Sequence, residues 1–258
     1  MVKDLKELWK IIKSLDKKVL IIFLSTAILQ TISWYITSRR FFRFNYFEQL
    51  QFDKNYFVYE FFFWFIGDFL TLFVMPVVII KLFLKGRLND YGLRAGDYKT
   101  GLKYSSVFLC IMILIVWFVS ARTDFIQTYP QLNDVKYSWG IFFLFEAGVL
   151  LYMIAWEFIW RGFMLFGLEE KFGYYAVLMQ MIPFLILHNG KPAAETFGAI
   201  IAGLALGILA MKTRSVLYCI ITHAGVMFSI DLISTLRFRA EEYGTGLSSL
   251  IKIIKVIF

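Results

Sequence analysis

Long apolar runs separated by short polar breaks dominate the chain. Seven segments stand out, about 19–37, 57–84, 102–120, 140–168, 174–188, 195–211 and 215–236. Most reach the roughly 20 residues that a helix needs to cross a bilayer, and the fifth and sixth are short. Their uninterrupted lengths and lack of period-2 alternation predict helices and not barrel strands. The stretch from Phe41 to Phe57, rich in aromatics and mixed charge, predicts a helix lying at the membrane interface. The tail from Gly246 to Phe258 sets Lys252 and Lys255 among Leu, Ile and Val. It reads as an interfacial amphipathic helix, with an eighth span as the alternative. The expected fold is therefore all-α, a polytopic membrane protein with about seven to eight transmembrane helices.

Composition supports this pattern: 59% of residues are hydrophobic and only 18% are charged. Mean hydropathy is +0.67. The net charge of +8 comes partly from Lys3, Lys6, Lys10, Lys13, Lys17 and Lys18, just before the first run. Such a cluster suits anchoring against anionic lipid on the cytoplasmic side. No basic stripe crosses the apolar runs, so nucleic acid is not an expected partner. No small-residue cleavage site follows the first run, which is read as a retained span. Cys110 and Cys219 sit in apolar runs and read as packing thiols without a disulfide. On alternate sides of seven spans, 16 of the 27 Lys and Arg fall on the N-terminal side, which favours an N-terminus inside.

Ionisable residues inside spans are costly and by default mark a site. Both histidines of the chain, His188 and His223, lie in apolar stretches, as do Glu157 and Arg161, four residues apart. Helical rise sets their depths. Measured from the turn at 169–173, Glu157 lies roughly 18 Å up and His188 roughly 22 Å. From the turn at 212–214 on the same side, Glu195 and Asp231 lie roughly 24 Å up and His223 roughly 12 Å. These depths are compatible with one site. The bland alternatives are an i,i+4 ion pair that only neutralises itself, packing histidines, and Glu195 as the acidic first residue of a helix. Asp68 and Glu146 read as packing or interface acids, and Gly203 and Gly207 as a small-residue helix contact.

At these residues the chain resembles the CPBP family, the CAAX-protease and bacteriocin-processing membrane proteins. Trp156-Glu157-Phe158-Ile159-Trp160-Arg161-Gly162 is similar to its EExxxR-Gly motif except at the first Glu. Phe184 to His188 fits FxxxH, while His223 fits HxxxN with Met227 at the Asn position. Asp90–Asp97 and Thr213-Arg214-Ser215 also resemble family segments. The resemblance covers about residues 88–236. It divides the chain into N-terminal spans with an interfacial helix (1–87), a CPBP-like catalytic core (88–236) and a C-terminal amphipathic tail (237–258).

The resemblance implies an intramembrane metalloendopeptidase acting on a membrane-associated protein or peptide, lipidated in some members, in a bacterial or archaeal cell membrane. Two imidazoles and one carboxylate are a sufficient protein set for a catalytic zinc with an open water position. His188, His223 and Asp231 are thus the expected ligands of a divalent metal. Glu157, Arg161 and Glu195 are the expected catalytic residues, with Glu195 replacing the acid absent at Trp156. Two other classes stay open: a catalytically silent member that scaffolds a membrane partner, and a proton-coupled transporter.

Overall fold

The computed structural model describes residues 2–256. The side chain of Lys3 and residues Ile257 and Phe258 lie outside that description. Among the described residues, six helices are long and apolar enough to cross a membrane. The order begins with α1 (Val2–Ser14), α2 (Lys17–Tyr35) and α3 (Arg39–Leu50). Then come α4 (Tyr56–Leu82), α5 (Tyr98–Val119) and α6 (Trp139–Phe172). The chain ends with α7 (Tyr175–Ile186), α8 (Ala193–Thr213), α9 (Leu217–Ala240) and α10 (Leu247–Ile254).

The helix starts follow the sequence. Asp16, Ser38, Asp97 and Ser138 each accept a hydrogen bond from the backbone N–H three residues on, so a side chain satisfies one donor left free at the helix end. Of the expected seven to eight spans, six helices are long enough to cross alone; the remaining apolar segment is α7, which with 12 residues is too short to do so by itself. Pro183 interrupts its last turns, and the chain then reverses through Leu187–Pro192 into α8. The expected interfacial helix is α3, which continues from α2 after a break at 36–38. Phe44 at its outer face is 90% exposed.

α6 is the axis of the molecule. It is buried without interruption from Ala155 to Leu168. A helix apolar on every side belongs in the middle of a bundle, and α4, α7 and α9 pack around this one. The stretch Phe158–Met164 winds as a π-helix, a wider turn often found at functional sites.

The connections sort into two ends. At one end Asp97 N–H donates to the Thr213 carbonyl, Arg214 pairs with Glu169, and Lys18 pairs with Glu170. Gly96, at φ +57°, is required there, since a Cβ would meet the Thr213 oxygen at 2.0 Å. At the other end the 120–138 connection meets the turn before α8, with Tyr129 bonded to Glu195 and Lys191. The C-terminal segment joins that same end, because Arg237 donates to the Trp117 and Gly244 carbonyls.

Candidate active site

Phe184 is the hub. Its ring lies under the Arg161 guanidinium, 4.0 Å from carbon to centroid. It also contacts the rings of His188 and His223, at 4.5 and 6.0 Å between centroids. The two histidines therefore share a neighbour, although regular helical rise sets them about 10 Å apart in depth. Each imidazole is oriented through Nδ1. In His188, Nδ1 lies 2.7 Å from the Phe184 carbonyl oxygen, one turn back on α7. In His223, Nδ1 lies 2.6 Å from Glu157 Oε1. Carbonyl and carboxylate oxygens only accept, so the neutral form of either ring carries its hydrogen on Nδ1 and keeps a lone pair on Nε2.

Glu157 and Arg161 are both fully buried, joined by Nη1 to Oε1 at 3.0 Å. The same Oε1 takes the His223 hydrogen bond, so the ion pair is not self-contained. Glu157 Oε2 and Arg161 Nε and Nη2 have no hydrogen-bond partner. Helical rise alone sets Glu157 about one turn above His223. The wider π-turn that follows Glu157 departs from that regular geometry, and the two residues meet.

A cavity of about 140 Å³ opens beside this pair. His188 and His223 line it, and Phe61, Trp64, Phe65, Phe145 and Tyr152 supply much of its apolar lining. Trp156 and Met227, the two departures from the family motifs, both line it as well. The positions where the family carries polar groups thus make this wall more apolar. Glu157 itself does not line the cavity and acts on it only through His223.

Glu195 and Asp231 line the cavity too, together with Gln131 and Lys191. Glu195 Oε2 accepts from the Tyr129 hydroxyl at 2.6 Å, and Lys191 Nζ donates to that hydroxyl at 3.2 Å. Burial lowers the pKa of the Lys191 ammonium in this turn, with Glu195 and Asp231 opposing the shift. Glu146, which the sequence reads as a packing acid, hydrogen-bonds Asp231 behind the cavity lining. Its signal was present: an intramembrane acid without a counter-charge. Tyr129 and Lys191 carried no comparable signal, because their meeting depends on how two loops fold together.

The metal set is incomplete. The two bare Nε2 atoms suit a cation, and the oxygen partners of both Nδ1 atoms are the outer contacts that orient metal-bound histidines. Among the described residues, however, no three His, Cys, Asp or Glu side chains are gathered closely enough to hold a metal ion. Asp231 does not join the two imidazoles as a third ligand in this arrangement.

Residues 138–229 match the family model for type II CAAX prenyl endopeptidase Rce1-like proteins. The chain carries an Rce1-like domain over these residues. The match runs from the cap of α6 through most of α9 and so contains Glu157, Arg161, His188, Glu195 and His223. The Rce1-like domain supplies the centre of the bundle, while α2 and α4 pack on it from outside the matched segment. No curated protein and no solved structure matches the chain.

Proposed function

We propose that the protein is an intramembrane endopeptidase that hydrolyses a peptide bond in a membrane-associated substrate, with His223 as the group that acts on water. The bond between Glu157 Oε1 and His223 Nδ1 carries this reading. A buried carboxylate on one imidazole nitrogen fixes the tautomer, leaves the other nitrogen basic, and stabilises the imidazolium that forms on proton uptake. Nε2 of His223 takes a proton from a water in the cavity as its oxygen adds to the scissile carbonyl, and returns it to the leaving amine. Arg161 holds Glu157, and its guanidinium on the Phe184 ring holds the residue between the histidines. The apolar wall suits a substrate segment that enters from the membrane.

His188 and His223 both line the cavity and both leave Nε2 free of a protein partner, which favours a metal-assisted form of the same reaction. These two nitrogens would hold a divalent ion, with zinc the expected one. Bound there, zinc would acidify a water and polarise the carbonyl. A third protein donor is not in place, so no step is assigned to the metal.

Both forms are tested on full-length protein in lipid vesicles, with membrane-presented peptides analysed by mass spectrometry. His223→Ala should lower cleavage at least about 100-fold, the lower bound for losing a general base. Undiminished cleavage in that variant contradicts the reading. Metal analysis of the wild type beside a His188→Ala, His223→Ala double variant separates the two forms. Stoichiometric zinc lost in the double variant supports the metal-assisted one, and equal trace metal in both removes it.

A further inference from the structure

Beyond the histidines the cavity ends in an acidic group that the proposed reaction does not use. Asp231, 1% exposed, lines the cavity, and its Oδ1 has no hydrogen-bond partner. Glu146 Oε1 is buried beside it, and the Glu146 side chain hydrogen-bonds that of Asp231, so the two acids share a proton. Glu195 stands on the same wall. Against these three carboxyl groups there is one ammonium, Lys191, and it donates to the Tyr129 hydroxyl. Lys191 makes no salt bridge among the described residues. Buried carboxylate oxygens without donors are unfavourable, and two adjoining carboxyl groups cannot both be charged unless a cation or a proton lies between them.

We propose that this end of the cavity is a subsite for a basic side chain of the substrate, an ammonium or guanidinium received by Asp231 with Glu146 and Glu195 beside it. The incoming group supplies the missing donors and the missing positive charge together. Its neighbours Trp64, Phe65 and Phe145 line the same cavity and suit the methylene stem of a Lys or Arg. The spacing fixes where that residue falls. Asp231 is eight residues past His223 on α9, about 12 Å along the helix. An extended peptide covers about 3.3 Å per residue, so the basic residue lies about three or four positions from the cleaved bond. Gln131 and Lys191 line the same cavity, and the Lys191 ammonium opposes entry of a second cation.

This inference rests on the endopeptidase reading for its position, and the test keeps the two apart. Full-length protein in vesicles is given a peptide series in which Lys is walked through the five positions on each side of the cleaved bond, with norleucine as the uncharged isostere. The ratio of kcat/KM for lysine over norleucine should reach at least about tenfold at one position, three or four residues from the bond. It should fall to near one in Asp231→Asn, and at least about threefold in Glu146→Gln. A ratio near one at every position in the wild type overturns the subsite, as does a preference that survives Asp231→Asn. If no peptide of any composition is cleaved, the endopeptidase reading fails. The subsite then stands or falls on binding, read from the fluorescence of the cavity tryptophans. Tighter binding of lysine than of norleucine peptides, lost in Asp231→Asn, supports it, and equal binding contradicts it.

Discussion

At the scale of single residues, the acids divide by what they touch. Glu157 is fully buried against Arg161 and His223, whereas Glu195 faces the cavity and accepts from Tyr129. The sequence predicts Glu195 as the replacement for the acid absent at Trp156, because the two depths agree. Depth alone cannot say which acid holds which base, since that depends on side-chain direction. With His223 as the base, Glu195→Gln should retain cleavage within about tenfold, because the amide oxygen still accepts from Tyr129. Loss of all cleavage in a folded Glu195→Gln protein would return the base role to Glu195. Glu157, Arg161, His188 and His223 were legible because charge and imidazole are rare in apolar runs, and Phe184 only through the motif it shares with His188. Glu146 was visible as an unexplained acid, but its partner eighty-five residues away was not.

At the scale of elements, helix type and cap chemistry followed the apolar pattern, and boundaries failed where backbone geometry departed from a regular helix. The π-turn at Phe158–Met164 leaves no clear mark in hydrophobic period, so the Glu157–His223 contact was not readable, whereas the shortness of α7 was already visible in its apolar run. The tail was readable, and α10 lies along the bundle end as an amphipathic helix too short to span. Glu242 fixes it there. The carboxylate bonds Lys252 Nζ, the Gly244 N–H and the Ser249 hydroxyl. Lys252 first, then Gly244 and Ser249, lower the Glu242 pKa to about 2. A folded pKa below the unfolded one contributes stability above the unfolded value near 4.5, and that contribution disappears as pH falls toward about 2. Hydrogen exchange over Leu247–Ile254 should therefore be slow at pH 6 and lose protection, relative to the rest of the chain, below about pH 4. Glu242→Gln should show the unprotected pattern at both pH values. Protection in the variant equal to wild type at pH 6 would contradict this role.

At the scale of the whole molecule, the cavity lies toward one end of the bundle, and the lysine-rich N-terminus lies at the other. Tyr129, Lys191 and the C-terminal segment share the cavity end, while Lys18, Glu169, Glu170 and Arg214 share the opposite one. The 16 to 11 bias of Lys and Arg toward the N-terminal side predicts, by the positive-inside rule, a cytoplasmic N-terminal side and a cavity end on the opposite side. A single cysteine at Asn189, in a chain lacking Cys110 and Cys219, should react with a membrane-impermeant maleimide in intact cells, while one at Lys171 should react only after lysis. The reverse pattern would invert this topology.

The account turns on one contact, the buried carboxylate that holds His223. The most direct measurement is the turnover of membrane-presented peptide by Glu157→Gln, a substitution that keeps side-chain shape and can still accept from His223 Nδ1, but removes the charge. The same sample is checked for its wild-type helical content and melting temperature. The account predicts a folded protein whose kcat falls at least about 100-fold, because the imidazolium formed on proton uptake loses its counter-charge. A folded variant that turns over at the wild-type rate would contradict it.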